Sequence, residues 1–371
     1  MEISQSKLNE IQEKAKERTV KTQSIEYDLE TLVKKIDKGI IRLDPAYQRR
    51  HRWNLETSSR LIESLILNIP IPTIYLSIDV DVDIESEESR YSVIDGQQRL
   101  TAIYDFFNNK YQLQGLKTLE SLNDFKYQDL PPFLTRRLEE RMIKCLRIDS
   151  TLDSKVKIDI FERLNSGSVI LESQELRNAV YMGPFNERCK ELSTNESFRK
   201  LLQIHGDNVN DNPKVKKMED VELVLRFYAL INDKYATYKK SKIYGFKDFL
   251  SDELQKGNSM NENELHEFES QFLQTINAII KFFGPQAFAK YKFEDNKLKL
   301  KSKFNAAVYD SLVVGVYSEI ILQNKKITSK MVSDFKDLFK SEHFFESVSG
   351  SILDSNKIVY RIDEARKVFR Q

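Results

Sequence analysis

The sequence is short of the residues that staple or gate a fold. Only two cysteines occur in 371 residues, Cys145 and Cys189, far apart and inside apolar-periodic segments. They form neither a disulfide framework nor a metal-ligand spacing, and a reducing cytoplasm is the expected compartment. Histidine is as scarce. His51, His205, His266 and His343 stand singly, none with a second histidine at metal-site spacing. Formal net charge is +1, so no global field draws the chain to nucleic acid or to an anionic membrane. Any such binding needs a local patch. No apolar run approaches the ~20 residues that span a bilayer. Residues 1–21 are charged throughout and lack the apolar core of a signal peptide.

What is present is ordinary globular material, 40% apolar and 31% charged. The length suggests two domains. Residues 4–21 read as a polar helical arm with a thin stripe of Leu8, Ile11 and Ala15. Residues 24–27 read as a short strand. Asp28 caps a helix striped by Leu29, Leu32, Val33 and Ile36 and ended by Gly39. Asn54 caps a second helix over 55–67, and two alternate prolines lead into a strand over 73–78. Residues 79–89 are an acidic surface loop. A short strand and turn are expected over 111–122, a further strand over 142–148, and helices over 133–141, 154–164 and 173–181. Beyond Pro184 helical stripes follow one another and strand signals nearly vanish, so an all-helical bundle is expected. Residues 207–217 read as a mobile loop. Arg226 sits among apolar neighbours, where it either snorkels to the surface or faces a cleft. The resulting division is a helical arm (1–22), an αβ domain (23–182) and a helical domain (183–371), an α+β chain.

The most informative stretch is 90–107, RYSVIDGQQRLTAIYDFF. A short β-branched strand meets Asp95-Gly96, and a helix follows with Leu100, Ile103, Tyr104 and Phe107 on one face. Strand, glycine turn and helix N-terminus together make an anion site, because the first amide groups of a helix lack an internal partner and carry partial positive charge. Gly96 admits a close-lying ligand. Gln97 and Gln98 add amide groups, Arg99 a planar fork suited to phosphate, and Asp95 a carboxylate. The plainer alternative is that Asp95 simply caps the helix.

A second cluster lies upstream. Pro45 bars a regular helix through 40–54, and the segment gathers Tyr47, Gln48, Arg49, Arg50, His51, Arg52 and Trp53. Arginines beside aromatics can hold phosphates and stack a base. The alternative is a solvated basic loop with Trp53 anchored on the core.

These motifs occur in an order that resembles a known family. Tyr47-Gln48-Arg49 with Trp53, the Pro70–Pro72 pair and Ile94-Asp95-Gly96-Gln97-Gln98-Arg99 are similar to the DGQQR family. That family is the ParB/sulfiredoxin-like N-terminal domain of modification-dependent restriction and phage-defence proteins of the GmrS–GmrD kind. Phe161 to Gly167 and Glu175-Leu176-Arg177-Asn178-Ala179 resemble its later segment. The resemblance implies an αβ domain that binds, and often hydrolyses, a nucleoside triphosphate, and that controls a nuclease acting on modified foreign DNA. By it, Asp95 and Arg99 are catalytic, with Asp95 meeting Mg²⁺. Tyr47, Gln48, Arg49, Gly96, Gln97, Gln98 and Asn165 bind the nucleotide. Arg50, Arg52 and Trp53 contact DNA or a base.

One departure matters. Fused members carry an HNH-type nuclease domain, and these 371 residues hold no such signature. A nuclease partner in trans is therefore expected, with self-association left open and no membrane partner. Two alternatives stand beside the hydrolase: a non-enzymatic module that senses nucleotide or modified DNA, and a stand-alone metal-dependent nuclease.

Overall fold

Helices and strands alternate early in the chain because the apolar period switches between 3.6 and two. In the computed structural model, which describes residues 22–43, 53–78, 90–148, 160, 163, 172–206, 209–240 and 245–371, those switches become elements. The chain is α+β and divides into two compact units, with the division between residues 171 and 172. The expected arm over 4–21, the acidic loop over 79–89 and nearly all of 149–171 lie outside the described residues.

The first unit is built on one sheet of five strands: β1 (Thr22–Asp28), β2 (Ile41–Arg42), β3 (Ile74–Ile78), β4 (Tyr91–Asp95) and β5 (Met142–Ile148). Their spatial order is β1-β5-β3-β4-β2. The β1–β5 and β3–β4 pairs are antiparallel, and the β3–β5 and β2–β4 pairs are parallel. Among the described residues, the helices bounded in full beside the sheet are α1 (Leu29–Asp37), α2 (Leu55–Ile66), α3 (Gln97–Phe107) and α4 (Pro132–Glu139). Two begin on the caps read from sequence. Asp28 Oδ1 accepts the Thr31 amide at 2.7 Å, and Asn54 Oδ1 accepts the Thr57 amide at 2.7 Å. A proline opens α4, where a missing amide does no harm. Leu29, Leu32, Ile62, Leu65, Ile74, Leu76, Leu100, Ile103 and Phe106 form the core between these elements.

The strand expected over 111–122 is absent. Its leucines recur at a step of three, Leu113, Leu116, Leu119 and Leu122, and three of the four are buried, which is not the alternation a strand needs. Side chains on α2 replace the ladder partners. Ser59 Oγ accepts the Gln114 amide at 3.0 Å, and Glu63 Oε1 accepts those of Thr118 and Leu119, each at 2.8 Å. The segment is a loop nailed to a helix.

The second unit begins with α5 (Ser173–Val180), α6 (Pro184–Leu192) and α7 (Glu196–Leu201), and continues with α8 (Pro213–Lys216), α9 (Glu219–Leu230), α10 (Lys234–Lys240), α11 (Phe246–Gly257) and α12 (Glu262–Phe283). It closes with α13 (Ala306–Val316), α14 (Ser329–Asp337), α15 (Glu342–Ser347) and α16 (Ser355–Arg370). Every residue from Ala307 to Val316 is buried, so α13 is the central helix. It packs closely on α16, where Phe369 and Ala365 lie against Gly315. Two short elements, Val209–Asp211 and α8, occupy most of the loop expected over 207–217 and bury Val215.

Two expectations change here. Arg226 neither snorkels nor lines a cleft. It is buried, and its guanidinium meets Asp310 on α13, Nε to Oδ1 at 3.0 Å and Nη2 to Oδ2 at 2.5 Å. Arg361 on α16 donates to the same Oδ2 at 2.6 Å. The unit is also not wholly helical. A hairpin, β6 (Lys290–Glu294) with β7 (Lys297–Ser302), stands between α12 and α13. Its sequence alternates lysine with apolar residues, the strand period, and Asp295-Asn296 takes positive φ at both turn residues. Among the described residues no helix is long and apolar enough to cross a membrane.

Candidate functional site

The DGQQR segment folds as its composition requires. β4 ends at Asp95, with a register shift between Tyr75 and Leu76 that leaves Ile94 opposite no residue of β3. Such a bulge re-aims the residues that follow it. Gly96 then takes φ 103°, a left-handed value that disfavours any residue with a Cβ. A Cβ there would also stand 3.0 Å from Ile74 Cγ1 on β3. Backbone sign and close packing thus both select glycine.

Gly96 is the N-cap of α3, and no side chain caps the helix. The carboxylate of Asp95 therefore does not take the capping role that the plainer reading gives it. The first intrahelical bond is the Leu100 amide to the Gly96 carbonyl at 2.9 Å. The Gln97, Gln98 and Arg99 amides precede it at the positive end of the helix.

Two more donors gather at the same turn. The Gln97 and Gln98 side chains are half-buried, and the Nε2 atom of each is withdrawn from solvent without a hydrogen-bond partner among the described residues. For Gln98 the orientation is fixed, because its Oε1 accepts the Trp53 amide at 3.0 Å. A buried donor left without an acceptor costs about 1–3 kcal/mol. The turn thus holds donors without a partner beside the carboxylate of Asp95, a mixed set that could take an anion with its counter-cation.

Arg99 has a different setting. It is buried, 8% exposed, and all its bonds run within the unit. Nη2 donates to Asp95 Oδ2 at 2.6 Å, and Nη1 donates to the Pro72 carbonyl and, at 3.4 Å, to that of Thr73. It pins the strand lead-in at Pro72 to the end of β4. Asp95 remains about a third exposed on its side chain.

The upstream cluster is placed only at its edges. Tyr47, Gln48, Arg49, Arg50, His51 and Arg52 lie outside the described residues, as does Asn165. On one side, Arg42 pairs with Ser92 of β4. On the other, Trp53 packs partly buried on the core and reaches Gln98 through its amide. Both described flanks of 44–52 thus attach to the strand and helix that carry the glycine turn.

Of the later motif residues, Phe161 to Gly167 lie outside the described residues except for position 163, and Glu175 to Ala179 fall in the second unit. Arg177 on α5 is buried, with Nε on Gln174 Oε1 at 2.8 Å and Nη2 on Glu222. Gln174 Nε2 donates to Asn178 Oδ1 at 2.9 Å. Burial pushes the Arg177 guanidinium below its ordinary value, and the Glu222 carboxylate opposes that shift. These residues hold α5 on α9. Among the described residues no group of three or more His, Cys, Asp or Glu gathers as a metal cluster.

Comparison with protein families matches residues 29–182 to the GmrSD restriction endonuclease, N-terminal domain. The match runs from α1 to just past α5 and so takes in every described element around the glycine turn. A search of the curated proteins returns no match.

Proposed function

We propose that this chain, whose residues 29–182 match the GmrSD restriction endonuclease, N-terminal domain, serves a restriction-related defence system: it binds a nucleoside triphosphate at the Gly96 turn, hydrolyses it, and governs a nuclease acting in trans on DNA. One observation carries the nucleotide reading. The uncapped start of α3 and the partnerless Nε2 atoms of Gln97 and Gln98 form a set of donors with no acceptor. Phosphate oxygens are acceptors only, and a helix N-terminus favours their charge.

Each side chain then has a part. Gln97 and Gln98 donate to phosphate oxygens. Gln98 also accepts the Trp53 amide, and by the family resemblance Tyr47, Gln48 and Arg49 bind the same nucleotide. Asp95 is the described residue that would hold Mg²⁺. A single carboxylate fits that ion, which takes most of its ligands from phosphate and water. When bound, the ion would neutralise charge on the phosphates. Arg99 acts through Asp95: its guanidinium fixes the carboxylate and the β3 lead-in. Trp53, Arg50 and Arg52 are the groups offered to DNA or a base.

A second reading, nucleotide sensing without turnover, has one observation in its favour. The Arg99 guanidinium is buried and spends its Nη1 on backbone carbonyls and its Nη2 on Asp95, which argues for a positioning role rather than contact with a transferred phosphoryl group. A thermal-shift panel of nucleoside triphosphates with Mg²⁺, run beside steady-state phosphate release, tests both. A ligand at about 100 times its dissociation constant adds about 2.7 kcal/mol of stability. A shift with phosphate release supports hydrolysis, and a shift without release supports sensing. No shift with any triphosphate overturns the nucleotide site.

A further inference from the structure

The β6–β7 hairpin plays no part in the αβ site, and its charge is out of keeping with the rest of the chain. Residues 290–303 hold six lysines and two carboxylates, a local net charge of +4 in a chain whose total is +1. Because side chains alternate across a pleated ribbon, the register sorts them. Phe293 pairs with Leu298 and Tyr291 with Leu300 on one face. Lys292 pairs with Lys299 and Glu294 with Lys297 on the other.

Lys292, Lys297, Lys299 and Lys301 are all exposed. Glu294 is shared among three of them, at 2.8 Å from Lys292, 3.2 Å from Lys301 and 3.9 Å from Lys299. Asp295 takes Lys299 at 2.5 Å. Like charges directly opposite one another, as at Lys292 and Lys299, destabilise a ribbon. A row of phosphates would relieve that repulsion.

We infer that this hairpin is a contact for the phosphate backbone of duplex DNA, held by the second unit. A two-stranded ribbon has the width of a DNA groove, and lysine binds phosphate as a point charge. The charged face carries no arginine, asparagine or glutamine to read base edges, so the contact is independent of sequence. The plainer role of such lysines is to keep the two open strand edges from pairing with other chains. The inference rests on the DNA half of the proposed function and is independent of the nucleotide turn.

The test uses the full chain and a fluorescein-labelled duplex of mixed sequence, titrated between about 50 and about 200 mM salt. The combined variant Lys292→Gln, Lys297→Gln, Lys299→Gln, Lys301→Gln should bind at least about tenfold more weakly at the low-salt end. Its slope of log affinity against log salt should fall by about 3 to 4. The matching four Lys→Arg changes should restore both. On the unaltered protein, amine-labelling mass spectrometry should show these lysines shielded by the duplex. That readout stands even if the variant misfolds. Unchanged affinity and slope overturn the inference, as does a variant that self-associates while binding DNA normally. Displacement of the duplex by poly-glutamate at equal charge concentration assigns the ribbon to an acidic protein and also overturns it. The nucleotide thermal shift, read on the same variant, reports separately on the αβ unit.

Discussion

Gly96→Ala and Gly39→Ala form a matched pair that isolates what the DGQQR turn demands. Both glycines have positive φ, 103° at Gly96 and 69° at Gly39. Around Gly39 an added Cβ meets nothing within 4 Å, whereas at Gly96 it meets Ile74 Cγ1 at 3.0 Å and Cγ2 at 3.3 Å. The left-handed conformation costs an alanine roughly 1–2 kcal/mol. Stiffening of the unfolded chain returns about 0.4–1 kcal/mol of that. Gly39→Ala should therefore lose about 1 kcal/mol. Gly96→Ala carries the same term and must in addition push Ile74, which is fully buried, out of a packed position. Overpacking of that kind costs about 1–3 kcal/mol, so the total is about 2–4 kcal/mol. At about 2–4 °C per kcal/mol for a unit of this size, Gly96→Ala should melt roughly 5–15 °C lower and Gly39→Ala only a few degrees lower. Differential scanning fluorimetry with urea titration measures both. Equal losses in the two variants would refute the argument from Ile74, and no loss in either would refute the backbone argument as well.

Other consequences can be checked with the same instruments. Asp310→Asn removes the buried charge shared by Arg226 and Arg361 and should cost about 3–5 kcal/mol in urea unfolding of the second unit. A cost below about 1 kcal/mol would show that the two arginines do not depend on it. Burial pushes the Cys145 thiol up to about 12 and raises that of Cys189 further, so neither should react with a thiol reagent at pH 8 until denaturant is added. Reaction of the native protein would contradict that burial. The Thr31 amide holds the Asp28 carboxyl below its ordinary 3.8, so its contribution is present above that value and lost as pH falls through the lowered one. The melting difference between the parent and Asp28→Asn should accordingly shrink in acid, and a difference that grew in acid would reverse the sign.

Most elements of the first unit were legible because local signals agreed. Asp28 and Asn54 cap where the periodic stripes begin, and both caps form. What sequence could not supply was partnership across long separations. Nothing local announces that Arg99 will bond the Pro72 carbonyl 27 residues back, or that Gln98 will receive the Trp53 amide from 45 residues away. The bulge at Ile94 is set by the register of β3 against β4, which no single strand encodes. The 111–122 segment misled because its leucines promise burial while its hydrogen-bond partners, Ser59 and Glu63, lie on another helix. Arg226 misled for the same reason: its partner Asp310 lies 84 residues on, and Arg361, which shares that carboxylate, lies 51 residues beyond Asp310. The β6–β7 hairpin, by contrast, was written openly in the alternation of KYKFEDNKLKLKS and could have been found by testing for period two.

The central claim is that donors without acceptors at the start of α3 hold phosphate. Its most direct measurement is the nitrogen–proton NMR spectrum of the full chain titrated with a non-hydrolysable nucleoside triphosphate and Mg²⁺. The account predicts saturable shifts of the Gly96, Gln97, Gln98 and Arg99 amides and of the Gln97 and Gln98 side-chain NH₂ groups. Saturable binding that leaves those resonances in place would contradict it.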